Sequence, residues 1–167
     1  ASDVYKRQSV NNVVYYGRTW NEFIQFLKLL NTNVPERKIV YIHNLAFEFT
    51  YLKDIIHLTD VFARKPLHPI RCINEAYNIE FRCSYMLANC SLEKVSENYH
   101  LDISKKSGDL DYIKIRHSLT KLTKRELDYC KYDCLVIYNL LLKMKDEYKK
   151  MSKIPLTSTG RVRKRFK

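Results

Sequence analysis

The hydrophobic residues fall into blocks whose spacing changes along the chain. Val13-Val14-Tyr15-Tyr16 is a short β-branched and aromatic run suited to a strand. Thr19-Trp20-Asn21-Glu22 then has capping-box spacing, in which the Thr oxygen accepts from a free amide and the Glu reaches back. Phe23, Phe26, Leu27 and Leu30 follow at i, i+3, i+4 and i+7, one buried face of a helix that ends at Thr32-Asn33-Val34-Pro35. Ile39-Val40-Tyr41-Ile42 is too short for a helix and reads as a strand covered on both faces. Phe47, Tyr51, Leu52, Ile55 and Ile56 resume the helical period, so Asn44 to Glu48 is a strand-to-helix junction in a β-α-β-α opening.

From Ile70 the period drops to two. Ile70, Cys72, Tyr77, Ile79, Phe81 and Cys83 alternate with Arg71, Asn78, Glu80 and Arg82, which predicts a hairpin around Asn74-Glu75-Ala76. Leu92, Val95 and Tyr99 mark a shorter helix, and a polar loop runs over residues 102–109. Thr123-Lys124-Arg125-Glu126 repeats the capping box and opens the last long helix. Leu127, Cys130, Cys134, Ile137, Leu141, Met144 and Tyr148 form its apolar stripe, and Tyr129 and Asp133 share a neighbouring face one turn apart. Lys149, Lys150 and Pro155 mark a boundary, and Arg161, Arg163, Lys164, Arg165 and Lys167 form a basic tail. The pattern predicts an α/β architecture, a mixed sheet flanked by helices, with no internal repeat.

Length and charge narrow the class. At 167 residues the chain has the size of one ordinary domain, and no run approaches the roughly 18 apolar residues of a membrane span. Thirty Lys and Arg against 18 Asp and Glu give a net charge of +12, which favours an anionic partner, nucleic acid above all, over a merely solubilising surface. The five cysteines form no CxxC pair and follow no secretory signal, so a disulfide framework or zinc knuckle is not expected and a reducing cytoplasm fits. Cys130 and Cys134 are expected to act as small hydrophobes.

Three residues stand out chemically. Glu48 leaves a strand end, and Tyr129 and Asp133 converge on one helix face. Phosphodiester hydrolysis needs an activated water and charge relief at the transition state, which two divalent ions about 4 Å apart can supply if carboxylates hold them. Glu48 and Asp133 are oxygen donors suited to a hard ion such as Mg²⁺ or Mn²⁺, and Tyr129 can orient a water. The plainer readings are a Glu that complements a helix dipole and a chance Tyr/Asp pair. His43 reads as structural.

In their order along the chain these segments resemble the 3′-to-5′ proofreading exonuclease domain of family B DNA polymerases, particularly the protein-primed type of phages, linear plasmids and organelles. Asn44-Leu45-Ala46-Phe47-Glu48 looks like its second motif, Tyr129-x-x-x-Asp133 like its third, and Gly108-Asp109-Leu110-Asp111-Tyr112 is similar to a segment of the protein-primed branch. The resemblance covers most of residues 13–160 and implies an RNase H-like exonuclease fold. It implies that Glu48 and Asp133 bind metal, that Tyr129 positions water, and that Lys106 corresponds to a family lysine. Asn44, Phe47, Ser84 and Tyr112 would contact a single-stranded DNA 3′ end. In the whole polymerase it implies primer-template DNA, dNTPs and a terminal-protein primer as partners, in the cytoplasm of a phage-infected or plasmid-bearing cell.

The sequence departs from that pattern twice. Glu48 stands where the family has Asp, which adds a rotatable bond to a metal ligand. The first motif, Asp-x-Glu, is absent before Asn44, where the acidic residues are Asp3, Glu22 and Glu36. Asp3-Val4-Tyr5-Lys6-Arg7-Gln8 resembles the translation of a sequencing-library adapter. The expected organisation is therefore a non-native segment at 1–8, an exonuclease domain at 9–150 without its first strand, and a basic linker toward a polymerase domain at 151–167. Such a fragment should be catalytically crippled. The alternatives are an inactive single-stranded DNA-binding domain of the polymerase and a stand-alone RNase H-like exonuclease.

Overall fold

Period-two and period-3.6 segments alternate in the computed structural model, which describes residues 5–8, 14–103 and 115–165. The chain runs β1 (Tyr5–Gln8), β2 (Val14–Gly17), α1 (Trp20–Asn33), β3 (Lys38–Ile42), α2 (Leu45–Leu52) and β4 (Thr59–Ala63). It continues through β5 (Pro69–Asn74), β6 (Ile79–Cys83), α3 (Ser84–Ala88), α4 (Leu92–Asn98) and α5 (Lys124–Tyr148). A 3₁₀ turn at Met151–Lys153 and α6 (Ser158–Arg165) close it. Two compact units result, one of Ala1–Phe26 and Leu92–Leu140, the other of Leu27–Ser91 and Leu141–Lys167.

In the first unit β1 and β2 form an antiparallel pair, with Tyr5 opposite Gly17 and Gln8 opposite Val14. That ladder is made by main-chain groups, so the adapter-like residues 5–8 take part in it whatever their origin. Both capping boxes form. Glu22 Oε2 accepts from the amides of Arg18 and Thr19 at 2.6 and 2.9 Å, and Thr19 Oγ1 accepts from the Glu22 amide at 3.2 Å. At α5, Glu126 Oε2 accepts from the Thr123 amide at 2.7 Å, and Thr123 Oγ1 accepts from the Glu126 amide at 3.2 Å. The other Glu126 oxygen takes Arg116 Nη2 at 2.6 Å and Nε at 3.0 Å. The Thr123 amide and the Arg116 guanidinium together hold the Glu126 carboxyl down at about 2. Arg18 donates from two guanidinium nitrogens to the carbonyls of His117 and Thr120, each at 2.7 Å, which fastens the loop before α5.

The second unit is built on a four-stranded mixed sheet of order β3-β6-β5-β4. β3 runs parallel to β6, with Val40 opposite Phe81, while β6, β5 and β4 are successively antiparallel. The predicted hairpin is β5-β6. Its turn is shaped by Asn74, whose Oδ1 accepts from the Tyr77 amide at 2.8 Å while Nδ2 donates to the His57 carbonyl at 2.8 Å. Asn78 closes the turn in the left-handed region at φ 50°, where Asn is tolerated. Helix α2 packs on β5 and β6, and α3 packs on β3 and α6. Ile70, Cys72, Ile79, Phe81, Leu45, Leu52 and Leu87 form the centre of this core. Burial pushes the Cys72 thiol up to about 12.

Several expectations need correction. β3 is half-buried along its whole length and, among the described residues, pairs only with β6, so it is an edge strand whose two faces are each only partly covered. Helix α2 buries Leu45, Phe49 and Leu52, while Phe47 is exposed and Tyr51 half-buried. The segment is apolar on nearly every side, so docking rather than periodicity chooses its buried face. In α5 the buried residues are Cys130, Val136, Leu140 and Met144, whereas Cys134, Ile137 and Leu141 are only half-buried. The sequence stripe assumed a 3.5-residue repeat, and a straight helix drifts from it by about 20° per heptad. Strand β4 and the short helix α3 carry too little pattern to be read in advance. Beyond α5 the chain folds back on its own unit, with Ile154 and Pro155 buried and Arg161 paired to Glu147 at 3.0 Å.

Arg82 makes that return possible. Its side chain is almost fully buried, and Nε donates to Glu80 Oε1 at 2.7 Å. Nη1 reaches Tyr41 Oη at 3.4 Å and the carbonyls of Met151 and Ile154 at 3.4 and 3.3 Å. Burial disfavours its charge, but Glu80 and Tyr41 outweigh that and shift its pKa upward. Arg82→Ala strands Glu80 and should lower the unfolding free energy by about 3–5 kcal/mol. Urea titration of the variant checks this, and a loss below about 1 kcal/mol would show that water replaces the guanidinium.

The Glu126 carboxyl gives a pH-dependent counterpart. Its folded pKa lies below its ordinary 4.5, so its contribution to stability is complete above 4.5 and fades as the pH falls toward 2. Thermal unfolding of Glu126→Gln should therefore lose this component of the acid dependence between those values. An acid profile unchanged from the parent would contradict the assignment.

Candidate functional site

Each unit carries part of the chemistry read from sequence. In the second unit β3 ends at Ile42, and the chain turns into α2 through Asn44, which lies at φ 62° and ψ 56°. This left-handed conformation costs most L-residues about 1–2 kcal/mol and is tolerated by Asn. The Asn44 carbonyl accepts from the Phe47 amide at 3.0 Å, but its side chain makes no capping bond and is exposed. The residue is thus used for its backbone, and its amide group points to no partner within the helix.

Phe47 stands on the first turn of α2 with 58% of its surface exposed, braced edge-on by Tyr51 at a ring separation of 5.5 Å. An aromatic face held this way is a stacking surface. Glu48, also in that first turn, is half-buried and lies where the positive end of the helix dipole favours a carboxylate. Behind the junction, His43 Nδ1 lies 3.1 Å from Ser84 Oγ, and the His43 ring meets Tyr85 edge-on at 5.6 Å. Ser84 is fully enclosed, so its hydroxyl is engaged with His43 and not presented at the surface.

The first unit supplies Tyr129 and Asp133, both half-buried on α5. Asp133 does not lie beside the buried row of that helix, as the sequence stripe suggested. It lies on it, three residues before Val136 and seven before Leu140, both fully buried, and its Oδ1 is closed off from solvent. A carboxylate on the most buried row of a helix is costly unless it is engaged, which makes it a site candidate on physical grounds. Tyr129, four residues earlier, shares that side. Nearby, partial burial and then Asp128 and Cys134 push the Tyr16 phenol upward, so β2 runs close to this part of α5. Lys106 and Tyr112, with the Gly108–Asp111 segment, lie outside the described residues.

Glu48 and Asp133 have the donor chemistry for a hard cation, but two carboxylates do not make a two-ion centre. Among the described residues no group of three or more His, Cys, Asp or Glu is placed to hold a metal. No helix among these residues is long and apolar enough to cross a membrane. Sequence reading missed Tyr85 and Arg82; neither carries a local signal, since a Tyr after a strand and an Arg alternating with apolar residues look like surface.

No protein-family model and no curated protein matches the chain. Solved structures do. Phi29 DNA polymerase in complex with primer-template DNA and incoming nucleotide is similar over 89% of this chain and 31% of its own, with a TM-score of 0.65 and 17% identity. The same polymerase complexed with single-stranded DNA is similar over 89% and 32%, with a TM-score of 0.63 and 18% identity. The chain thus shares the fold of about a third of that polymerase's length.

The junction geometry is testable. Asn44→Val should cost about 1–2 kcal/mol in thermal or urea unfolding, because a β-branched residue resists this φ, while Asn44→Gly loses less. Equal losses in the two variants would remove the backbone explanation for Asn44.

Proposed function

We propose that this chain is the 3′-to-5′ exonuclease region of a protein-primed, family B type DNA polymerase, acting on the single-stranded 3′ end of DNA. The observation that carries the reading is Asp133, a carboxylate on the buried row of α5 with Tyr129 one turn before it, in a chain that shares its fold with part of phi29 DNA polymerase. An exonuclease uses a carboxylate in such a position, because a carboxylate shielded from water interacts strongly with a cation and its bound water.

The reading gives each residue a role. Phe47 offers its exposed face to a terminal base, and Asn44 its uncommitted amide to the same strand. Ser84 acts at one remove, by holding His43 beneath the junction. Glu48 and Asp133 are the metal-holding carboxylates for Mg²⁺ or Mn²⁺, with further donors required from outside the described residues, and Tyr129 positions water. Lys106 and Tyr112 complete the reading as an additional catalytic cation and a strand contact. Polymerisation, dNTP binding and a terminal-protein primer belong to the whole protein, of which residues 9–150 form the exonuclease portion and 151–167 lead toward the polymerase portion.

A second reading, strand binding without hydrolysis, is favoured by the exposed Phe47 platform, which needs no metal. The full reading frame that encodes this chain distinguishes the two. With Mg²⁺ or Mn²⁺ it should release nucleotides from the 3′ end of a 5′-labelled single strand, and Asp133→Ala should slow release by roughly a hundredfold or more while strand binding persists. Turnover unaffected by Asp133→Ala sinks the site assignment, and strand binding with no release by the parent selects the second reading. In either case Phe47→Ala should weaken binding of single-stranded DNA by about 1–3 kcal/mol, read by fluorescence anisotropy at fixed salt.

A further inference from the structure

The positive charge of the chain is not spread evenly. Residues 143–165 hold nine Lys and Arg against two carboxylates, Asp146 and Glu147, so more than half of the net charge of +12 is concentrated in this one stretch. The fold of the second unit draws the stretch together. Lys164 Nζ donates to the Lys153 carbonyl at 2.7 Å and lies 5.5 Å from the centre of the Tyr148 ring, which sets α6 beside the end of α5. Lys145, Lys149, Lys150, Lys153, Arg163 and Lys164 are all exposed around this join. Glu147 is taken by Arg161, and Lys145, Lys149, Lys150 and Arg163 have no carboxylate at salt-bridge distance among the described residues.

Like charges brought together repel, so other contacts must hold the stretch. These are burial of Ile154 and Pro155, the two carbonyls that Arg82 takes, the Arg161–Glu147 pair and the Thr157 cap on the Gly160 amide at 3.1 Å. A merely solubilising surface disperses its charges; this one concentrates exposed cations on a fixed scaffold. The composition of the patch also selects its partner. Single-strand surfaces combine cations with aromatic faces for stacking. Among the described residues the exposed aromatics, Tyr15, Tyr16, Phe47, Phe62 and Tyr85, all lie outside residues 141–165, and Tyr148 within the stretch is half-buried with Lys164 against its ring.

We propose that the end of α5 and α6 form a second DNA-binding surface, one that takes the phosphate backbone of a duplex without reading its bases. This surface goes beyond the strand-end site at Asn44–Glu48 and does not depend on hydrolysis. Its test is binding of a short labelled duplex by the full chain over a salt series, with Lys149→Gln/Lys150→Gln/Arg163→Gln compared to the parent. The triple variant should bind at least tenfold more weakly at low salt. Its slope of log affinity against log salt should fall by about 0.9 for each phosphate that is no longer neutralised, with an unchanged circular dichroism spectrum. Lys28→Gln/Lys94→Gln/Lys121→Gln, which removes equal charge from exposed positions elsewhere, should keep the slope. An unaltered slope in the first triple, an equal loss in the second, or a loss seen with single strands and not with duplex overturns the proposal. Tighter binding to phosphatidylserine vesicles than to duplex overturns it in favour of a membrane surface.

Discussion

A guanidinium enclosed in a protein must have its donors met, and meeting those of Arg82 shapes the second unit. The residue sits on β6, where alternation would send it outward, yet Glu80, Tyr41 and the carbonyls of Met151 and Ile154 surround it. One side chain thereby joins two neighbouring strands to the segment that follows α5. An apolar residue of similar size can often replace such a group at little loss, since ion pairs in interiors recover little of their desolvation cost. What the charge adds is direction: carbonyl oxygens must arrive at fixed points, and that sets where the chain after Lys150 turns back. The position of α6, and of the cations it carries, is inherited from this arrangement.

A single residue also decides the geometry of the β3-α2 junction. A left-handed Asn turns the chain within one residue, so the first turn of α2 begins directly at the strand end and brings Phe47 and Glu48 to one edge of the unit. The helix anchors itself through Leu45, Phe49 and Leu52, leaving the face with Phe47 uncovered. On α5 the arrangement is reversed, for there a carboxylate occupies the packed side. Exposed apolar surface in one place and enclosed charge in another are both departures from what folding alone favours, and both fall on residues read as functional.

The sequence made the helix starts legible because a capping box is a local device: Thr19 with Glu22 and Thr123 with Glu126 meet across three residues whatever surrounds them. The β5-β6 hairpin was legible for the same reason. The face that each helix buries was not. In α2 apolar residues occur all round, and in α5 a small error in the repeat rotates the buried side toward Asp133, so tertiary docking decides. Of the candidate site, Asn44, Phe47, Glu48, Tyr129 and Asp133 were visible as residue types in order, but not that Phe47 would be exposed, that Ser84 would be enclosed, or that Asp133 would lie on the packed row. Arg82 was invisible, because apart from Glu80 its partners lie 41 and 69 to 72 residues away in sequence.

Cys72 turns the interior of the sheet into a clock. Its side chain is wholly covered and burial pushes its thiol up to about 12, which keeps it in the unreactive protonated form and away from reagents in the folded protein. Cys90 and Cys134 are only half-buried. Alkylation of Cys72 has to wait for β5 to separate from its neighbours, and the waiting time measures how often the sheet opens.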